Sequence, residues 1–293
     1  MQRVESLARR AAATELSVLI TGETGTGKEL IARTIHTLSP RAERPFLAVN
    51  GGALRADLAL SQLFGHRKGA FTGAHTDGAG LVEAAHGGTL FLDEIGELPG
   101  DVQVTLLRFL ESGEYLRLGE TQVRRADVRL IAATNRELRG PGTESFRRDL
   151  LFRIDEIEIR LPALRERPDD ILPLARHFLD FYGGMEGPRL TREAESVLRS
   201  YPWPGNVREL ENVMKRVAAL HRADAVLDVD ALLPFLSRVV DQQPGPRQPD
   251  DEGAAILAAW KRADGNKSRL AALLGVSRKT LYARLKRLDL HLS

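Results

Sequence analysis

The 293-residue sequence contains no cysteine. That excludes disulfides, thiolate metal sites and cysteine nucleophiles, and it fits a reducing compartment, here expected to be the cytoplasm. No uncharged apolar run approaches the ~18 residues needed to span a membrane, so no membrane partner is expected. The first twenty residues, MQRVESLARRAAATELSVLI, lack a signal-peptide pattern, because charges interrupt them and no cleavage site follows. The seven histidines show no metal-ligand spacing, and no internal repeat is visible. Net charge is small, at +2, but unevenly spread. Residues 253–293 carry nine Lys or Arg against two Asp, a net +7, which leaves −5 on residues 1–252. A small basic unit on a mildly acidic body suggests a nucleic-acid module attached to something else.

What is present is an ordinary globular composition, 43% hydrophobic and 28% charged, at a length that suits two or three domains. Short apolar runs at 17–21 (SVLIT), 46–50 (FLAVN), 89–94 (TLFLDE), 128–135 (VRLIAATN) and 154–161 (IDEIEIRL) predict strands. The first four are of the kind buried in a parallel sheet. Helical patterns such as ELIARTIHTL and VQVTLLRFLES separate several of them, which implies an α/β sandwich. From about 171 to 238 the patterns are helical only. The segment 241–252, DQQPGPRQPDDE, has three prolines and no large apolar residue and reads as linker. The expected domains are therefore an α/β subdomain over 1–164, a helical lid over 165–238, a linker over 239–252 and an all-α unit over 253–293.

Residues 22–29 read GETGTGKE between a strand and a helix, close to the phosphate-loop pattern GxxxxGK[ST]. Glycines let backbone N–H groups turn inward around phosphate oxygens, and the helix N-terminus adds positive potential. Gly22, Glu23, Thr24, Gly25, Thr26, Gly27, Lys28 and Glu29 are thus candidate nucleotide contacts, with Lys28 reaching the β- and γ-phosphates. Glu29 stands where a hydroxyl usually helps hold Mg²⁺. In GGTLFLDEI, Asp93 is placed to hold Mg²⁺ directly or through water, and Glu94 to orient or deprotonate an attacking water.

A third stretch, GAFTGA at 69–74, puts Phe71 among glycines with no apolar neighbour to pack on. GETGTGKE, GAFTGA and GGTLFLDE in this order resemble the AAA+ ATPase domain of bacterial enhancer-binding proteins, the activators of sigma-54 RNA polymerase, and the resemblance covers nearly the whole chain. That family commonly has Glu after the phosphate-loop lysine. The resemblance implies ATP and Mg²⁺ as cofactors and roles for further residues. Asn50 would contact Glu94 and couple nucleotide state to the loops. Thr134 and Asn135 would form sensor I at the γ-phosphate. Arg147 and Arg153 would be fingers acting on a neighbour's nucleotide, which requires a ring, expected as a hexamer when active and a dimer when idle. Arg208, in YPWPGNVRELEN, would reach back to bound nucleotide from the lid, with Asn206 capping its helix and Trp203 in the lid core. Gly69, Ala70, Phe71, Thr72, Gly73 and Ala74 would contact sigma-54, which explains an exposed aromatic better than a loop anchor does. The family domain usually begins some twenty residues earlier, in a segment that helps enclose adenine. The regulator is expected without an N-terminal receiver or ligand-sensing domain.

Residues 253–293 contain three helical patterns punctuated by Gly265-Asn266 and Gly275. They resemble the Fis-type helix-turn-helix that ends most members of the family, with the recognition helix at about 278–288 and Ser277 as its N-cap. Arg278, Lys279, Thr280 and Tyr282 lie where base contacts are usually made, and Ala283 could meet a thymine methyl. Arg284, Lys286 and Arg287 suit phosphates. The partner is upstream double-stranded DNA. The resemblance as a whole implies an activator that uses ATP hydrolysis to convert the closed promoter complex to the open one. Two other readings stay open at this point. One is a DNA-binding regulator of ordinary polymerase that uses the AAA+ fold for oligomerisation, whose relatives usually have a degraded GAFTGA. The other is a general AAA+ remodeller, which should lack the basic tail.

Overall fold

A computed structural model describes residues 1–54, 58–139, 145–184, 188–221, 225–236 and 260. The chain divides into two compact units, Met1–Ser237 and Arg238–Ser293. Nearly all described residues belong to the first. The recognition helix expected at 278–288 and its candidate DNA contacts lie outside the described residues.

Five parallel strands form the central sheet: β1 (Val18–Thr21), β2 (Phe46–Asn50), β3 (Thr89–Asp93), β4 (Arg129–Thr134) and β5 (Ile157–Arg160), in the order β2-β3-β4-β1-β5. All five predicted strands are present, FLAVN with its predicted ends and the other four trimmed. The largest trim is at 154–156, because α4 (Arg148–Ile154) runs through Ile154. Expected burial fails for FLAVN, which lies at the sheet edge and is only partly covered.

Alternation along the central strands divides the core by face. Leu19, Leu90, Leu92, Leu130 and Ala132 point to one side, where helix α3 (Gly100–Ser112) contributes Val102, Leu106 and Phe109. Val18, Ile20, Phe91, Ile131 and Ala133 point to the other, against Val4, Ala8 and Ala11 of α1 (Gln2–Ala12) and Ala32 and Ile35 of α2 (Lys28–Thr37). The result is the three-layered α/β sandwich expected of a parallel sheet.

Arg129, at the start of β4, is 2% exposed and has no carboxylate within ion-pair distance among the described residues. Its guanidinium donates to the carbonyls of Ala11 (2.7 Å), Ala12 (3.5 Å) and Leu16 (3.4 Å). It thus holds the C-terminal end of α1, where a cation complements the helix dipole. Replacing Arg129 with Met is expected to destabilise the domain by about 2–3 kcal/mol, since buried acceptors lose a charged donor. Thermal unfolding should show a fall of roughly 5–10 °C.

The lid follows as α5 (Pro168–Gly183), α6 (Arg192–Ser200), α7 (Asn206–Leu220) and α8 (Val229–Leu236), packed around fully buried Trp203 with Leu172, Leu179, Leu210 and Met214. Trp203 is lid core, as expected, and its indole N–H donates to Leu198 O at 2.8 Å. The lid is not wholly helical: Arg189–Leu190 pairs in parallel with Val226–Leu227. Two residues per strand are too few for a period-2 pattern to show.

Candidate active site

The carboxyl ends of β1, β2, β3 and β4 lie side by side, the usual place for a ligand in an open parallel sheet. Thr21 is in register with Thr134, and Asn50 with Asp93. The phosphate loop leaves β1 at Gly22 and enters α2 at Lys28. Gly25 has φ +80°, and a Cβ there would fall 2.3 Å from Gly205 O, so only glycine fits under the lid.

Lys28 is buried, with Nζ 3.0 Å from Gly22 O and 3.7 Å from Glu94 Oε1. Glu94 follows β3 in a left-handed conformation (φ +50°), uncommon for a non-glycine residue. Its Oε2 accepts from the Asn135 amide at 3.1 Å, and Asn135 Nδ2 donates to Thr24 Oγ1 at 2.9 Å. Asp93 is pushed above the usual carboxylate range, first by burial and then by Glu94, with Lys28 acting in the opposite direction. Two adjacent carboxylates under the phosphate loop are a hard-oxygen donor set of the kind Mg²⁺ takes together with substrate phosphates. No group of three or more His, Asp or Glu suited to a metal occurs among the described residues.

Several expected contacts are arranged differently. Thr134 is fully buried and its hydroxyl accepts from the Arg136 amide at 3.0 Å, so of the sensor pair only Asn135 reaches the phosphate loop with its side chain. Glu29 is turned to the exposed face of α2, where Arg33 one turn on holds its carboxylate at 2.8 Å. Asn50 does not bond to Glu94: its Oδ1 accepts from the amides of Gly52 and Ala53, capping a short turn. The backbone of that turn does meet Glu94, since a Cβ on Gly51 would lie 2.7 Å from Glu94 O. Asn206 is not a cap either. Gly205 occupies that position, and Asn206 is the first residue of α7, with its side chain turned onto the phosphate loop. Arg208 meets the loop through its backbone, the amide donating to Gly25 O at 3.3 Å, while its side chain is exposed.

Arg147 stands at the N-cap of α4 and Arg153 in its last turn, and both are about half-exposed. Arg147 pairs with Asp149 (2.6 Å), and Arg153 donates to Leu110 O (2.7 Å). Neither bonds to residues 22–29 of its own chain. Phe152 beside them is 79% exposed.

GAFTGA forms the tip of a hairpin, with Gly65–His66 pairing antiparallel to Gly78–Ala79. The Gly69 amide donates to Ala74 O and the Ala74 amide to Phe71 O, folding the hexapeptide tightly. Phe71 is consequently not isolated. It is half-buried edge-on against His66, with ring centroids 5.1 Å apart. His66 is fixed by Ser61 Oγ at 2.8 Å, and its ring lies where a Cβ on Gly78 would collide at 2.4 Å. Ala74 is buried, so its side chain offers no contact in this conformation, whereas Thr72 and Gly73 are exposed.

Sequence reasoning missed Arg165 and Arg167. Arg165 grips Glu23 through both guanidinium nitrogens (2.5 and 2.8 Å), which holds the Glu23 carboxyl down at about 2. Arg167, one-tenth exposed, donates to Thr26 O at 3.1 Å. The run LRER between sheet and lid was the available signal.

The chain matches the Sigma-54 interaction domain over residues 1–160, the AAA+ ATPase lid domain over 165–248 and the bacterial regulatory protein, Fis family, over 249–288. It is 39% identical over 328 residues to the DNA-binding transcriptional regulator NtrC of Rhizobium meliloti, covering 98% of this chain and 68% of that relative. It is 43% identical over 305 residues to the Sigma54-dependent transcriptional regulator SfnR of Pseudomonas fluorescens, covering 94% of this chain and 83% of SfnR. Among solved structures, NtrX from Brucella abortus superposes with a TM-score of 0.74 at 32% identity, covering 99% of this chain and 67% of that one. A second NtrX structure, in complex with ATP, gives 0.73, covering 98% and 67%. A nucleotide-binding AAA+ sandwich with a helical lid, joined to a Fis-family segment, places this chain among the sigma-54-dependent transcriptional regulators, to which it belongs.

Proposed function

We propose that the protein binds upstream DNA through residues 278–287 and hydrolyses ATP at interfaces between its own copies. ATP binding raises the GAFTGA hairpin toward sigma-54 and hydrolysis lowers it, a cycle that remodels the closed polymerase complex into the open one in the bacterial cytoplasm. Lys28 neutralises the β- and γ-phosphates, Asp93 holds Mg²⁺, and Glu94 orients or deprotonates water. Asn135 reports on the γ-phosphate from its seat between Thr24 and Glu94. Arg147 and Arg153 act on the neighbouring copy's nucleotide in a hexameric ring that forms from idle dimers.

The observation that carries this reading is the contact between Glu94 and Gly51. Gly51 opens the segment that leads from β2 to the hairpin, so a change in the Glu94 backbone during hydrolysis would meet the start of the chain that carries Phe71. Phe71 rests on His66 at one edge, and leaving that seat exposes the ring to a partner.

The test combines two readouts on one preparation. ATP hydrolysis is followed against protein concentration, and sigma-54 capture is followed with a transition-state analogue of ATP. Specific activity should rise steeply with concentration. Phe71→Ala should keep turnover within about threefold of wild type, because the ring is remote from the phosphates, yet lose open-complex formation by more than about tenfold. A Phe71→Ala protein that opens promoters normally would remove sigma-54 contact from this loop. Turnover independent of concentration would remove the shared site.

A further inference from the structure

Four consecutive phosphate-loop residues are each gripped by a residue of the lid or of the segment leading into it. The Glu23 carboxylate takes Arg165 and Asn206 Nδ2 (3.1 Å). Thr24 O accepts the other Asn206 proton (3.0 Å). Gly25 O accepts from the amides of Val207 (2.9 Å) and Arg208 (3.3 Å), and Thr26 O from Arg167 (3.1 Å). A trans peptide unit sets its C=O and the next N–H on opposite sides. Carbonyls of Thr24 and Thr26 drawn outward to the lid therefore turn the Gly25 and Gly27 amides the other way. Those two amides donate to nothing among the described residues. The Thr26 amide makes only a 3.4 Å contact, to Glu23 O.

Asn206 is built for this task. It is fully buried and sits at φ +53°, a conformation Asn tolerates better than most residues. Its Oδ1 accepts from the Leu164 amide at 2.7 Å, so the acceptor and both donors of the amide are used. We propose that Asn206 and Arg167 are positioning residues for the phosphate nest: the lid holds the loop's carbonyls outward so that its amides face the phosphates. This rests on the ATPase reading and names lid residues other than Arg208 as the ones that shape its site. By linkage, phosphates that favour the inward amides also tighten the lid on the loop.

The test uses the full chain, with a fluorescent ATP analogue and inorganic tripolyphosphate as probes. Asn206→Asp keeps shape and backbone preference but removes both donors and sets a carboxylate against Glu23. It should weaken both probes about tenfold or more and raise KM for ATP by a similar factor, with kcat at saturation within about threefold. Arg167→Met should weaken both probes by about fivefold, while Arg167→Lys, which retains a donor for Thr26 O, should stay within about twofold. Near-UV circular dichroism from buried Trp203 reports that the lid is folded; if Asn206→Asp fails that check, the Arg167 pair decides. Folded variants with wild-type tripolyphosphate affinity, or Met and Lys at 167 behaving alike, would overturn the proposal. A wild-type protein that neither binds nor hydrolyses ATP would instead sink the ATPase reading, and this proposal with it.

Discussion

Glu94→Gln is expected to lower ATP turnover by about 10²–10⁴ while nucleotide affinity stays within a few-fold of wild type. The carboxylate lies between the Asn135 amide at 3.1 Å and Lys28 Nζ at 3.7 Å. Gln preserves the shape and one acceptor for Asn135, so the site should still assemble. What it loses is the basicity and the charge with which water is oriented or deprotonated. The left-handed backbone at Glu94, which costs of order 1 kcal/mol for a non-glycine residue, accompanies a side chain set between Asn135 and Lys28. Single-turnover hydrolysis together with equilibrium binding separates the two effects. Sigma-54 capture by ATP itself should become long-lived in this variant, because the loops stay in their ATP-bound position. Loss of less than about tenfold in turnover would show that Glu94 is not the base.

Arg147→Ala and Arg153→Ala should each reduce turnover by about 10³-fold or more, the scale of an arginine finger acting in trans. Both guanidiniums are half-exposed and, among the described residues, bonded only to Asp149, Leu110 and Glu156. Neither touches the phosphate loop that it would serve. The decisive experiment is mixing. Neither Lys28→Ala nor Arg147→Ala should hydrolyse ATP alone. A one-to-one mixture should recover activity, because roughly a quarter of the interfaces in a random ring pair an intact loop with an intact finger. Recovery rules out a finger acting in cis. If the mixture stays inactive although mixed rings form, Arg147 is an interface salt-bridge residue. The exposed Phe152, between Arg147 and Arg153 in the chain, is a natural position for a label reporting assembly.

Features carried by short stretches were legible before any coordinates. The phosphate loop needs a strand, glycines at set intervals, a lysine and a helix start, all within thirteen residues. The paired acids need only an apolar strand that ends. Five strands and the two longest helices between them followed from the apolar pattern, and Trp203 followed from its size. The failures share a cause. Whether FLAVN is central or at the edge depends on strand order, which local pattern does not encode. Phe71 looked isolated because its partner His66 reaches it only when Gly65–His66 pairs with Gly78–Ala79 and Gly78 leaves room for the imidazole. Thr134 and Glu29 matched a motif by position, but the hydroxyl of one is buried in a central strand and takes the Arg136 amide, and helix spacing sends the other to Arg33.

The sequence by itself determined the candidate chemistry: a lysine suited to phosphates, adjacent carboxylates suited to Mg²⁺ and water, and a glycine-rich segment carrying an aromatic. Only the tertiary structure decided how the phosphate loop is held in shape. Glu23 and Asn206 stand 183 residues apart, and nothing in either neighbourhood requires the other. Their contact exists because the lid packs around Trp203 and delivers the first turn of α7 onto the loop. There, part-buried carbonyls of Thr24 and Thr26 and the Glu23 carboxylate take donors from the lid that would otherwise have to come from water. Local periodicity specifies the elements and their reactive groups, while the burial of polar groups between distant elements specifies which of them work together.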